Sequence, residues 1–165
     1  MNKLIQFCGL TAALLVSLAG HAAGNAGNIE ISGAWTRATA PGQDQASVDM
    51  TITSKQAAAL VGVSSPAARK IELHSMVTEG GMMRMREVKS IELPAGKAVS
   101  LGESGYHVML NGLKAPLKEG ETVPLTLDIK IGNDVTRVET SAKVGSLTET
   151  GAPAMGHEHM HMKMD

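Results

Sequence analysis

Cysteine is all but missing from this chain, and the one it has, Cys8, lies in an apolar N-terminal stretch without the small residues just before it that a lipid-modified cysteine needs. Lys3, the apolar run Leu10 to Leu18 and the small residues Ala19 to Ala23 have the pattern of an export signal. Residues 1–22 are read as that leader, with cleavage expected after Ala22 or Ala23. The exported chain would then hold no thiol, which excludes disulfides and thiolate chemistry. Aromatic rings are almost as scarce: beyond Phe7 in the leader only Trp35 and Tyr106 remain. The core must therefore be filled by Val, Leu, Ile and Met, with Trp35 expected as a core anchor. Long apolar runs are absent too. The leader's run is shorter than the roughly 20 residues a membrane helix needs, and nothing later is continuously apolar, so no stable membrane insertion is expected. Nor is there an excess of charge of one sign: 15 basic and 16 acidic residues offer no surface for nucleic acid.

What the chain has in quantity is short alternating runs broken by turn residues. Val48, Met50 and Ile52 alternate with Asp49, Thr51 and Thr53. Val123, Leu125, Leu127, Ile129 and Ile131 alternate with Thr122, Thr126, Asp128 and Lys130. Period-two alternation marks half-buried strands, and Gly80-Gly81, Pro94-Ala95-Gly96, Gly102 to Gly105, Lys118-Glu119-Gly120 and Gly132-Asn133-Asp134 supply turns between them. The reading is an all-β sandwich of about seven or eight strands, cupredoxin-like or immunoglobulin-like, over residues 28–144. Residues 145–165 form a polar tail, expected to be disordered without a ligand. It ends in interleaved donors: Met155, His157, His159, Met160, His161, Met162 and Met164.

Alternation also sorts the polar residues. In the run from Tyr106 to Leu110, the Tyr, Val and Leu share one face and His107 with Met109 the other. Ile71, Leu73 and Val77 likewise oppose Glu72, His74 and Met76. Both histidines therefore leave the core. A turn near Thr78 to Gly81 would fold the next strand back; with Glu79-Gly80 as its two-residue loop, His74 would face Met85, and Met76 would face Met83. The same register sets Glu72 against Glu87, two like charges, and a longer loop remains open.

Thioether and imidazole are soft to borderline donors that suit Cu(I), whereas Mg²⁺ and Ca²⁺ demand oxygen. Two Met and two neutral His add no charge, which favours a monovalent ion, and Met survives an oxidising compartment that would consume Cys. A lone outward His is more often an ordinary surface residue, and Met more often core filler. That bland reading weakens here because His74 and His107 are the only histidines between the leader and the tail, and both fall on outward faces beside Met. The tail donors, without fixed geometry, would bind copper in either oxidation state, Cu(II) included.

His74, ten residues, Met85, twenty-one residues and His107-Val108-Met109 resemble the H-x10-M-x21-H-x-M signature of PCu(A)C-type periplasmic copper chaperones. Ser64 to Ala68, Glu72-Leu73-His74, Met83 to Arg86, Leu93 to Gly96, Gly105 to Leu110 and Pro116 to Gly120 resemble that family's framework, over about Trp35 to Ile131. Ser47-Val48-Asp49-Met50 departs from its usually more apolar, Tyr-containing strand. The resemblance implies a cupredoxin-like sandwich in the periplasm holding one Cu(I) on those four side chains. It also implies partnership with Sco-type thiol proteins and subunit II of cytochrome c oxidase, whose CuA centre receives the copper. A monomer is expected.

Other readings fare worse. A copper buffer that sequesters rather than delivers would have the same ligands. A blue-copper carrier needs a thiolate that the exported chain lacks. An enzyme with His74 or His107 as base has no nucleophile, carboxylate pair or phosphate loop beside it, and a hydrolytic zinc site would want a third His or a carboxylate. A metal-free adhesion sandwich leaves the outward His and Met unexplained.

Overall fold

The computed structural model describes residues 25–102 and 105–148. The leader and every tail donor from Met155 to Met164 lie outside the described residues. Eleven strands make up the described fold: β1 (Asn25–Ala26), β2 (Ile29–Arg37), β3 (Gln45–Ser54), β4 (Ala58–Ser64), β5 (Ala68–Glu79), β6 (Met82–Glu87), β7 (Ile91–Leu93), β8 (Ala98–Leu101), β9 (Tyr106–Leu113), β10 (Thr122–Ile131) and β11 (Asp134–Gly145). This exceeds the seven or eight read from the sequence because β1, β7 and β8, of two to four residues, are too short to show alternation.

The strands follow one hydrogen-bonded path, β6-β5-β9-β3-β2-β11-β10-β4-β7, with β8 also on β3 and β1 on β2. The path folds over on itself into a β-sandwich. Inward residues of both layers form a single apolar cluster. Ala46, Val48, Met50 and Ile52 of β3, Leu73 of β5 and Val108 and Leu110 of β9 come from one side. Leu60, Ile91, Leu93, Val123, Leu125, Leu127 and Ile129 come from the other. Each large aliphatic side chain withdrawn from water here stabilises the fold by roughly 1.5–3 kcal/mol. Pro124 is tolerated in β10 because the pairing with β4 begins only at Thr126, so no ladder bond on that edge needs its missing N–H.

Trp35 is buried, at 4 % exposure, but not in that cluster. On β2, Ile29 and Ile31 point inward and Ile31 opposes Ile52; after a register shift between Ser32 and Trp35, Thr36 opposes Val48 and Trp35 opposes Asp49. Gly33, at φ 60°, sits at this bulge, where one extra residue switches the inward parity from odd to even positions. Ala34 and Ala38 then pack on the core, and Trp35 is turned to the other face of the sheet. Trp35 is thus buried as expected, but on that face rather than within the main apolar cluster.

The β5–β6 hairpin likewise departs from the expected register. Its loop is Gly80-Gly81, so that Glu79 pairs with Met82, Met76 with Met85 and His74 with Glu87. Both loop residues have positive φ, 59° and 79°, the pattern of the type I′ turn whose twist matches that of the strands. Glu79 could occupy such a position only with strain, and the two-residue slip also separates Glu72 from Glu87. Parity survives a slip of two, so the same side chains still share a face. Gly80→Asn, which tolerates the left-handed region, should leave β6 protected, whereas Gly80→Val with Gly81→Val should cost roughly 1–2 kcal/mol per position. Amide hydrogen exchange of residues 82–87 in the two variants checks this.

Candidate metal-binding face

β5 is the axis of the outward face. Its register with β9 sets His74 directly opposite His107, Glu72 opposite Met109 and Lys70 opposite Asn111. The inward residues of the same ladder, Leu73 against Val108 and Ile71 against Leu110, are apolar, which is why the polar set has no choice but to face out. Directly opposed side chains on a sheet have Cβ atoms about 4.5–5.5 Å apart and diagonal ones about 7–8 Å. The two imidazoles are therefore immediate neighbours. Met109 lies one diagonal step from His74 on β9, and Met85 one diagonal step from it on β6. Met85 is not opposite His74 as the sequence reading had it; Met76 takes that place.

Exposure differs sharply across this face. His74, His107 and Met109 are half-buried, whereas Met85 is 46 % exposed and its neighbours Met82 and Met83 more so. β6 is the end of the strand path, and the hairpin extends beyond the core. Arg86, on the opposite face from Met85, donates to both carboxylate oxygens of Glu79 at 2.6 Å.

A polar network missed by the sequence reading lies next to His74. Glu72 Oε2 is 2.9 Å from His74 Nε2 and accepts from Asn111 Nδ2 at 3.1 Å, while Lys70 Nζ donates to Oε1. All four residues lie on the outward face of β5 and β9. The signal was present in the spacing of Glu72 and His74, which alternation had already put side by side. The Lys70 ammonium, above all, and the His74 imidazole hold the Glu72 carboxyl below its usual range against the opposing effect of partial burial. The same contact raises the Lys70 ammonium. His74 Nδ1, by contrast, is buried without a hydrogen-bond partner, and leaving a buried polar atom unpaired costs about 1–3 kcal/mol. Among the described residues no three His, Cys, Asp or Glu side chains are grouped to hold a metal ion, so any metal on this face would draw on the thioethers.

Comparison with known proteins places the chain. Residues 29–144 match the family described as putative lipoprotein LpqE-like. The protein belongs to the LpqE-like family. A curated relative, the putative lipoprotein Lxx21020 of Leifsonia xyli subsp. xyli (strain CTCB07), is 38 % identical over 109 residues. That match takes in 66 % of each chain, just under two thirds of the relative's length. Among solved structures, the LpqE-like sandwich is similar to the Cu(I) form of DR1885 from Deinococcus radiodurans, with 34 % identity, a TM-score of 0.57, and coverage of 77 % of this chain and 85 % of that one. The copper-bound PCuAC domain from PmoF2 shares the fold at 24 % identity and a TM-score of 0.59, covering 73 % of this chain and 94 % of that domain. The LpqE-like chain thus shares its β-sandwich fold with these copper-bound structures.

The electrostatics of this LpqE-like face carry a pH dependence of definite sign. A carboxyl whose pKa is lowered by folding stabilises the fold above its unfolded value and loses that contribution as pH falls through its folded value. The stability difference between wild type and Glu72→Gln, measured by urea unfolding of the metal-free protein, should be present at neutral pH and shrink as pH is lowered through and below the glutamate range. A difference that grows on acidification would contradict the lowered pKa.

Proposed function

We propose that this protein is an exported copper chaperone that binds Cu(I) through His74, Met85, His107 and Met109 and passes it to the CuA centre of cytochrome c oxidase. The observation that carries the reading is the direct opposition of His74 and His107 on an outward face, flanked diagonally by Met109 and Met85. Two imidazoles and two thioethers make a soft, neutral donor set suited to a monovalent soft ion. The orphaned Nδ1 of His74 fits it: a metal is one partner that could use this lone pair. The 34 % identical DR1885, solved with Cu(I), supports copper as the cargo.

Met85, alone exposed among the four, is the side chain that a partner's ligand reaches first. Stepwise ligand exchange there suits delivery. The acceptor, subunit II of the oxidase, and the Sco-type partners come from the family resemblance. Export to the periplasm rests on the leader read at residues 1–22 and is supported by the lipoprotein description of the family. The His/Met-rich tail would hold further copper loosely.

Titration of the exported chain with Cu(I) against a competing chelator should reveal one tight equivalent that survives truncation after Gly151. His107→Ala should weaken that equivalent roughly a hundredfold or more, about 2.8 kcal/mol, while truncation changes it little. If tight binding disappears with the tail and persists in His107→Ala, the four-residue site is wrong. Incubating the loaded protein with the metal-free, reduced CuA domain, then separating the two, distinguishes delivery from storage by which of them holds the copper.

A further inference from the structure

We infer that Glu72 is a positioning residue for the copper site: by taking the Nε2 proton of His74 as a hydrogen bond, it dedicates Nδ1 to the metal. The inference rests on the copper reading above and adds to it a fifth residue and a specific ligand atom. Glu72 lies in no part of the two-His, two-Met set. A carboxylate can only accept hydrogen bonds, so the 2.9 Å contact to Glu72 Oε2 requires Nε2 to carry a proton. In a neutral imidazole the lone pair is then on Nδ1, the atom found buried and without a partner. One imidazole nitrogen is thus fully engaged and the other free.

The carboxylate is itself braced. Asn111 Nδ2 donates to Oε2 from β9, across the ladder, and Lys70 donates to Oε1 from two residues back on β5. Three donors from two strands converge on one side chain, fixing the plane in which it can hold the ring. A carboxylate behind a ligating imidazole orients the ring and raises the basicity of the nitrogen that binds metal. This favours retention of Cu(I) without occupying a ligand position.

Long-range ring ¹⁵N correlation spectra of the labelled, exported protein test this without a mutation. At pH about 8, metal-free His74 should show a protonated Nε2 and an unprotonated Nδ1. One equivalent of Cu(I) should then move the Nδ1 resonance and leave Nε2 protonated. Movement of Nε2 instead, with loss of its proton, would overturn the inference. In parallel, Glu72→Ala should weaken Cu(I) binding about 10–100-fold. Glu72→Gln, which keeps an acceptor oxygen but no charge, should preserve coordination through Nδ1 and recover part of the affinity. Amide spectra of both variants check that the sandwich is intact. If His74→Ala abolishes tight binding while both Glu72 variants bind as wild type, the copper reading stands and the role of Glu72 falls. If His74→Ala also binds as wild type, both fall together.

Discussion

Burial of one apolar row, Leu73 on β5, Val108 on β9 and Val48 on β3, is the constraint from which the outward face follows. These side chains are nearly inaccessible and lie side by side across three strands. Because side chains alternate, fixing this row inward fixes the residues beside it outward: Glu72, His74, His107, Met109 and Ser47. A slip of one residue anywhere in the ladder would exchange the sets, burying two imidazoles and a carboxylate among aliphatic groups. The cost of that exchange holds the donors in register more firmly than any contact among the donors themselves.

The hairpin that supplies Met85 is held differently. It runs past the core, so β6 is exposed along its whole length and its register is set by turn geometry rather than by burial. Gly80 and Gly81 accept the two positive φ angles that the tight turn requires, and the resulting pairing puts His74, not Glu72, opposite Glu87. A firmly held pair of histidines thus lies beside a loosely held, exposed thioether. The histidines lie half-buried against the core, and the thioether stands at the free edge of the strand path.

Much of this was legible beforehand, for a physical reason that also marks where legibility stopped. Alternation needs only a strand of five or more residues with one wet face, so β3, β9 and β10 and the outward placement of His74, His107 and Met109 could be read directly. β1, β7 and β8 were too short to alternate. The burial of Trp35 was legible but the face it lies on was not, because the bulge at Gly33 inserts one residue and reverses parity within β2, something a hydrophobic pattern broken by Ser32 and Gly33 does not reveal. The hairpin loop was set one residue early because Glu79-Gly80 and Gly80-Gly81 are both turn-like dipeptides, and only the conformational demand for two left-handed residues separates them.

By itself the sequence determined the class of fold, the set of soft donors and the side of the sheet on which they lie, since all three depend on local alternation and on side-chain chemistry. Tertiary structure decided who meets whom. That His74 opposes His107 across strands thirty-three residues apart, that Met76 rather than His74 opposes Met85, and that Asn111 reaches Glu72 all follow from the pairing of β5 with β9 and β6. Register between strands distant in the chain is a collective outcome of core packing and turn geometry, and no local pattern encodes it.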